Sequence, residues 1–183
     1  MTLRTEIQNE AKRMVMATDE AVTVKALCTS LNISRKTFYK YYQDKYDLFD
    51  SIIHEELFES LTYISQIPER KEADSVFVLN TLYHRIYENR EFYRRLNRDH
   101  NMFLDCIFKE NYRLNQILFQ NDKIDPVERK YQIYLAAMAG RNLVEKWMAD
   151  DFQLSSRKVS ELFYKYVTRA WVEDIAYFEG NEK

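Results

Sequence analysis

Chain breakers are scarce in this protein: of 183 residues only two are glycine and two are proline. So few cannot supply the turns of a many-stranded sandwich or an α/β sheet, which leaves long helices as the fold to expect. Cysteine is equally rare. Cys28 and Cys106 lie far apart with no CxxC spacing, which excludes a disulfide framework and fits a cytoplasmic protein with reduced thiols. Histidine occurs three times, at 54, 84 and 100, with no i, i+4 pair of ligands, so no metal is expected. His54-Glu55-Glu56 lacks the second histidine of a zinc-protease helix, and Gly140 and Gly180 are too far apart to form a phosphate-cradling loop. Carboxylates are plentiful, but no spacing singles out an acid–base pair, so neither an enzyme nor a cofactor is expected. Long apolar runs are missing as well. Tyr134–Gly140 is among the longest and falls far short of the roughly 18–20 residues that span a bilayer. The opening MTLRTEIQNEAKR is too polar for a secretory signal.

What the chain does have is apolar residues, 46% of the total, and a concentrated pattern at residues 23–48. Val24, Leu27, Cys28 and Leu31 recur at i, i+3, i+4 and i+7, one face of a helix, behind an N-cap at Thr23. Asn32 stands where the chain must turn, and asparagine tolerates the left-handed backbone. Ser34 caps a second helix predicted from Arg35 to about Tyr42, and Asp44 caps a third starting at Lys45. Two short helices, a tight turn and a basic second helix describe a helix-turn-helix. Between residues 25 and 45 five basic residues face one acid, Asp44, which leaves +4 on a chain of net charge −2. A local basic patch on an acidic protein is the footprint of a domain that neutralises phosphates.

These residues resemble the tetracycline-repressor (TetR/AcrR) family of bacterial transcription regulators. The likeness runs through Thr23-Val24-Lys25, Leu27-Cys28, Asn32-Ile33-Ser34, Thr37-Phe38-Tyr39, Tyr42, Lys45 and Leu48. Asn32 replaces the usual turn glycine, Cys28 and Leu31 replace small alanines, and Lys36 stands where glycine is frequent. From the residues themselves, Arg35 at the start of the second helix can reach a base edge. Lys36, Lys40 and Tyr41 can meet bases or backbone, and Thr37 can touch a thymine methyl. Lys25 sits beside the Thr23 helix start, and Ser34 completes the set at the second. The resemblance implies that Tyr39, Lys45 and Thr23 hold phosphates, which sets register without reading sequence. It also implies a double-stranded, palindromic operator bound by a homodimer, because one such module reads a half-site and two lie about 34–36 Å apart.

The remaining periodicity predicts an all-α protein of about nine helices: a headpiece over residues 1–47 and a regulatory and dimerisation core over 48–183. Helix 1 is expected at about 3–17 and helix 4 from Lys45 to near Ile64, followed by a linker, Pro68–Asp74. Helices then follow at Ser75–Asn89, Glu91–Arg98, Met102–Phe119, from Asp125-Pro126 to about Asp150, and from Ser155 or Ser156 to about Phe178. Ala136, Ala137, Ala139 and Gly140 strip side chains from a long helix, a pattern that suggests close approach by another helix. With Leu143, Phe163, Val167 and Trp171 they form the expected dimer surface, ordinary core packing being the alternative. The resemblance further implies an effector core. Tyr83, His84, Tyr87, Phe103, Cys106, Arg141 and Trp147 are its candidates for a small-molecule pocket, with ordinary core again the alternative. Residues 143–162 also resemble a C-terminal type in which some members act with a partner protein. Repression released by an effector is the expected mode; activation, or an adaptor that no longer touches DNA, is left open.

Overall fold

A computed structural model describes residues 2–18, 20–59, 61, 72–118 and 125–168. Among the described residues the protein is all helix, with nine helices and no strand. In chain order they are α1 (Leu3–Ala17), α2 (Val24–Ser30), α3 (Arg35–Phe38), α4 (Lys45–Ile53), α5 (Glu72–Glu88), α6 (Arg90–Asn97), α7 (Met102–Leu118), α8 (Pro126–Ala149) and α9 (Ser156–Phe163). Both α4 and α9 continue into a wider π turn, at His54–Phe58 and Tyr164–Thr168. The predicted ends of helix 4 and of the last helix, with Pro68–Lys71 of the expected linker, lie outside the described residues.

Side-chain caps set most helix starts. Thr23 Oγ1 accepts from the Ala26 N–H at 3.1 Å, Ser34 Oγ from Thr37 at 3.0 Å and Asp44 Oδ1 from Asp47 at 2.8 Å. Asp125 takes the N–H groups of both Val127 and Glu128, with Pro126 in the first turn where its missing N–H costs nothing. Asn32 is left-handed, at φ 51°, as its place in the turn requires.

Two predicted boundaries move. The second helix of the motif is α-helical only to Phe38, not to Tyr42. Beyond it the bonding is mixed: Lys40 N–H to Thr37 and Tyr41 N–H to Phe38 span three residues, while Tyr42 N–H returns four residues to Phe38, and Phe38 and Tyr42 are both buried. Helix α5 begins at Glu72 instead of Ser75.

One continuous apolar core joins headpiece to body. Ile7, Ala11, Leu27 and Phe38 pack with Leu48, Phe49, Ile52 and Ile53 of α4, and the same cluster runs on to Tyr93, Phe103 and Ile107. In the C-terminal part α7 lies along α8 and α5 along α9. Two sharp corners carry left-handed residues that are not glycine: His100 and Asn101 between α6 and α7, and Asp151 and Phe152 after α8. Phe152 is held there by burial, its ring 4.9 Å from that of Trp147, with Arg94 stacked over it.

Candidate nucleic-acid interface

The headpiece presents its cations outward. Lys25, Arg35, Lys36 and Lys40 are exposed, and none forms an ion pair among the described residues. Thr23, Ser34, Tyr39 and Tyr41 are exposed beside them, while Thr37 is half-buried. Phe38 and Tyr42 point the other way into the core, and the Phe38 ring meets Tyr39 edge-on at 5.5 Å. The Tyr39 ring is thereby braced on Phe38 while the side chain as a whole stays exposed. Ser34 Oγ lies 2.9 Å from Thr37 Oγ1, so the cap ties these two hydroxyls together. Lys25 and Arg35 flank an open depression between α2 and α3 that is also lined by Thr29, Asn32 and Ser34. The surface thus combines unpaired charge, hydroxyls and aromatic rims on rigid, capped backbone.

Lys45 is the exception. Its Nζ sits 2.6 Å from Asp99 Oδ2, with side chains only 20% and 12% exposed. Asp99 stands in the α6–α7 corner, so the ion pair joins the start of α4 to the body.

A second junction runs along the π turn of α4. Three successive polar residues there reach four neighbouring helices, α1, α5, α6 and α7. His54 Nδ1 meets the buried Glu110 of α7 at 2.8 Å, and Glu110 also accepts from Arg113. Glu55 accepts from Arg4 at 2.5 Å and Gln8 at 3.0 Å, both on α1. Glu56 pairs with Lys12 of α1 and accepts from the Tyr93 hydroxyl of α6, while its carbonyl takes Arg85 of α5. Reading His54-Glu55-Glu56 as a failed zinc motif missed this role. The usable signal was Arg4, Gln8 and Lys12, four residues apart on one face of α1.

The residues predicted to line an effector pocket divide into three groups. Tyr83, Tyr87 and Trp147 come together, the Trp147 ring lying 5.9 Å from Tyr83 and 6.0 Å from Tyr87, with Phe152 and Phe163 closing the cluster. Phe103 stacks on Tyr93 at 4.3 Å, and Cys106 donates to Asp50 at 2.5 Å, both near α4. His84 is exposed beside Glu88, and Arg141 bonds Glu145, so neither joins the aromatic cluster. Burial pushes the Tyr83 hydroxyl up, and burial with the Asp50 hydrogen bond pushes the Cys106 thiol up, so both stay protonated. A groove of about 230 Å³ lies elsewhere, where Val15, Val22 and Phe49 of the headpiece side face Leu96, Arg98 and His100.

The expected dimer residues are also placed. Ala136 and Gly140 are buried within one chain: a Cβ on Gly140 would fall 2.6 Å from Asn111 Nδ2 of α7 and 3.6 Å from the Phe163 ring. Among the described residues the space beside Gly140 is filled by side chains of α7 and α9 of the same chain. Leu143, Phe163 and Val167 are half-buried, and Trp171 lies outside the described residues. The apolar side chains that remain exposed on α8 are Val127, Tyr131, Tyr134 and Leu135, with Tyr166 beyond α9.

Residues 20–52 match the model of the bacterial regulatory proteins of the tetR family, a span covering α2, the turn, α3 and most of α4. Over that span the chain is similar to the tetR family. A Bacillus subtilis (strain 168) protein described as the uncharacterized HTH-type transcriptional regulator YxbF is 22% identical over 157 residues, which takes in 81% of this chain. The chain spans 40% of that relative's length. Among the described residues no helix is long and apolar enough to cross a membrane.

Proposed function

We propose that this chain is a sequence-specific DNA-binding transcription regulator that acts as a homodimer. The observation that carries the reading is the outward set of Lys25, Arg35, Lys36 and Lys40 on a capped, tetR-type helix-turn-helix. Arg35 reads a base edge, Lys36 and Lys40 meet bases or backbone, and Tyr39 and Thr23 hold phosphates. The headpiece is residues 1–47; α4 shares both parts and transmits between them. Dimerisation uses the exposed face of α8, where Val127, Tyr131 and Leu135 succeed one another at four-residue spacing.

Regulation works through α4. Its start is tied to Asp99, and its π turn to α1, α5, α6 and α7, so a shift of the body moves the headpiece as a unit. The effector is a small molecule that binds the DNA-incompetent arrangement more tightly and so releases repression. If it enters among Tyr83, Tyr87 and Trp147 it must open their mutual packing, which gives it a direct lever on α5, α8 and α9.

The test is to select duplexes from a random-sequence library with the full chain, then measure binding by fluorescence anisotropy across salt. A selected duplex should bind with affinity that falls steeply with salt. Arg35→Ala should cost about 1–3 kcal/mol and relax preference at the base pair it contacts. Failure to enrich any duplex would exclude the reading.

A further inference from the structure

Of the five basic residues between 25 and 45, Lys45 is the one whose charge is answered by a carboxylate among the described residues, and that carboxylate comes from 54 residues away. On the reading of this chain as a DNA-binding regulator, we propose that Asp99 is a positioning residue that restrains DNA binding by holding Lys45 away from phosphate.

Lys45 is the first residue of α4, immediately after the turn that follows α3, with the exposed Lys40 and Tyr41 a few residues before it in the chain. Its ammonium is shared between Asp99 at 2.6 Å and the Tyr46 ring, whose centroid is 5.1 Å away. A phosphate reaching that ammonium would be drawn toward the Asp99 carboxylate, a like charge. Lys45 therefore serves Asp99 or DNA, and each partner weakens the other. Asp99 is not free to drift away. It closes the last turn of α6 through its N–H to Leu96, its carbonyl takes the Met102 N–H that opens α7, and left-handed His100 and Asn101 follow it directly. The corner is a fixed post, and the distance from that post to α4 sets how much Lys45 is available. A body movement that separates the two increases DNA affinity; one that presses them together lowers it.

The experiment compares wild type, Asp99→Asn, Lys45→Gln and the double variant, on a duplex selected by the wild-type chain, from 0.05 to 0.3 M KCl. Counterion release of about 0.9 per phosphate contact makes one freed contact worth up to roughly eightfold at 0.1 M salt. Asp99→Asn should tighten binding by up to that factor and steepen the salt slope by about one. Lys45→Gln should weaken binding and flatten the slope. In the Lys45→Gln background Asp99→Asn should gain clearly less than in wild type, since no ammonium remains to be freed and only the carboxylate's own screened repulsion is lost. Asp99→Glu, which keeps the charge, should behave as wild type and controls for damage to the corner. An unchanged slope in Asp99→Asn, weaker binding, or an equal gain in the Lys45→Gln background would overturn the role of Asp99 while leaving the regulator reading intact. If wild type selects no duplex, both fall together.

Discussion

The headpiece and the C-terminal body are organised over different sequence distances. In the headpiece the decisive bonds are short-range: Thr23 to Ala26, Ser34 to Thr37, Asp44 to Asp47. In the body they are long-range: Gly140 against Asn111, Trp147 against Tyr83, Glu110 against His54. A cap identifies its own partner, because the acceptor and the N–H lie within one turn. A small-residue stripe says only that something comes close. The contrast separates what a chain announces locally from what it settles only by folding.

Substitutions on the two faces of α8 sharpen this contrast, because one face is answered by the same chain and the other is open. The largest effect is expected on the open face. Leu135 is 55% exposed and Tyr131 66%, side by side along α8. Leu135→Asp should leave the helical circular dichroism unchanged while weakening self-association by about 2–4 kcal/mol, the cost of losing a central apolar anchor. Sedimentation equilibrium would read this as a dimer becoming monomer at micromolar concentration. A variant as dimeric as wild type moves the interface to another surface. Next in size is the closed face. Gly140→Leu drives a branched side chain into Asn111 and Phe163, and should destabilise each chain by about 1–3 kcal/mol. Thermal melts should show this as a loss of roughly 2–4 °C per kcal/mol, independent of protein concentration. Concentration-dependent loss would show instead that a second chain packs against Gly140.

Most of the fold was legible in the sequence because helix starts are chemical. Asp125-Pro126 and Ser155 identify helices of very different lengths equally well, and the scarcity of glycine and proline excludes sheets outright. The outward set of cations was legible for a related reason: Arg35 and Lys36 on α3, and Lys40 just beyond it, flank an inward residue, Phe38, that is unmistakable. The shortness of α3 was not. A continued α-helix would also set Tyr42 on the face of Phe38, so the apolar spacing does not mark where the helix ends. The engagement of Lys45 was hidden for a similar reason, since Asp99 is remote in sequence and looks like any other acid of a helix junction. The π turn of α4 was equally hidden. His54, Glu55 and Glu56 look like a solvated run until α1, α6 and α7 arrive to meet them.

The smallest effect falls within the headpiece and tests whether its short-range bonds suffice. Glu10 on α1 accepts two bonds from Arg13 at 2.7 Å and one from Ser30, the last residue of α2. Hydrogen bonds from Arg13 and then Ser30 hold its carboxyl at about 2, below its ordinary 4.5. The unfolded chain therefore binds the proton more readily, and stability from this group increases with pH across that interval. It is complete above about pH 4.5 and is lost as the pH falls toward 2. Arg13 is largely in water, so screening keeps the effect small: Glu10→Gln should lower the melting temperature at pH 7 by no more than about 2–4 °C. The difference between wild type and variant should then shrink between pH 4.5 and 2.5. A difference that stays constant across that interval would mean that the Ser30 bond to α2, not the carboxylate's charge, is what holds the first two helices together.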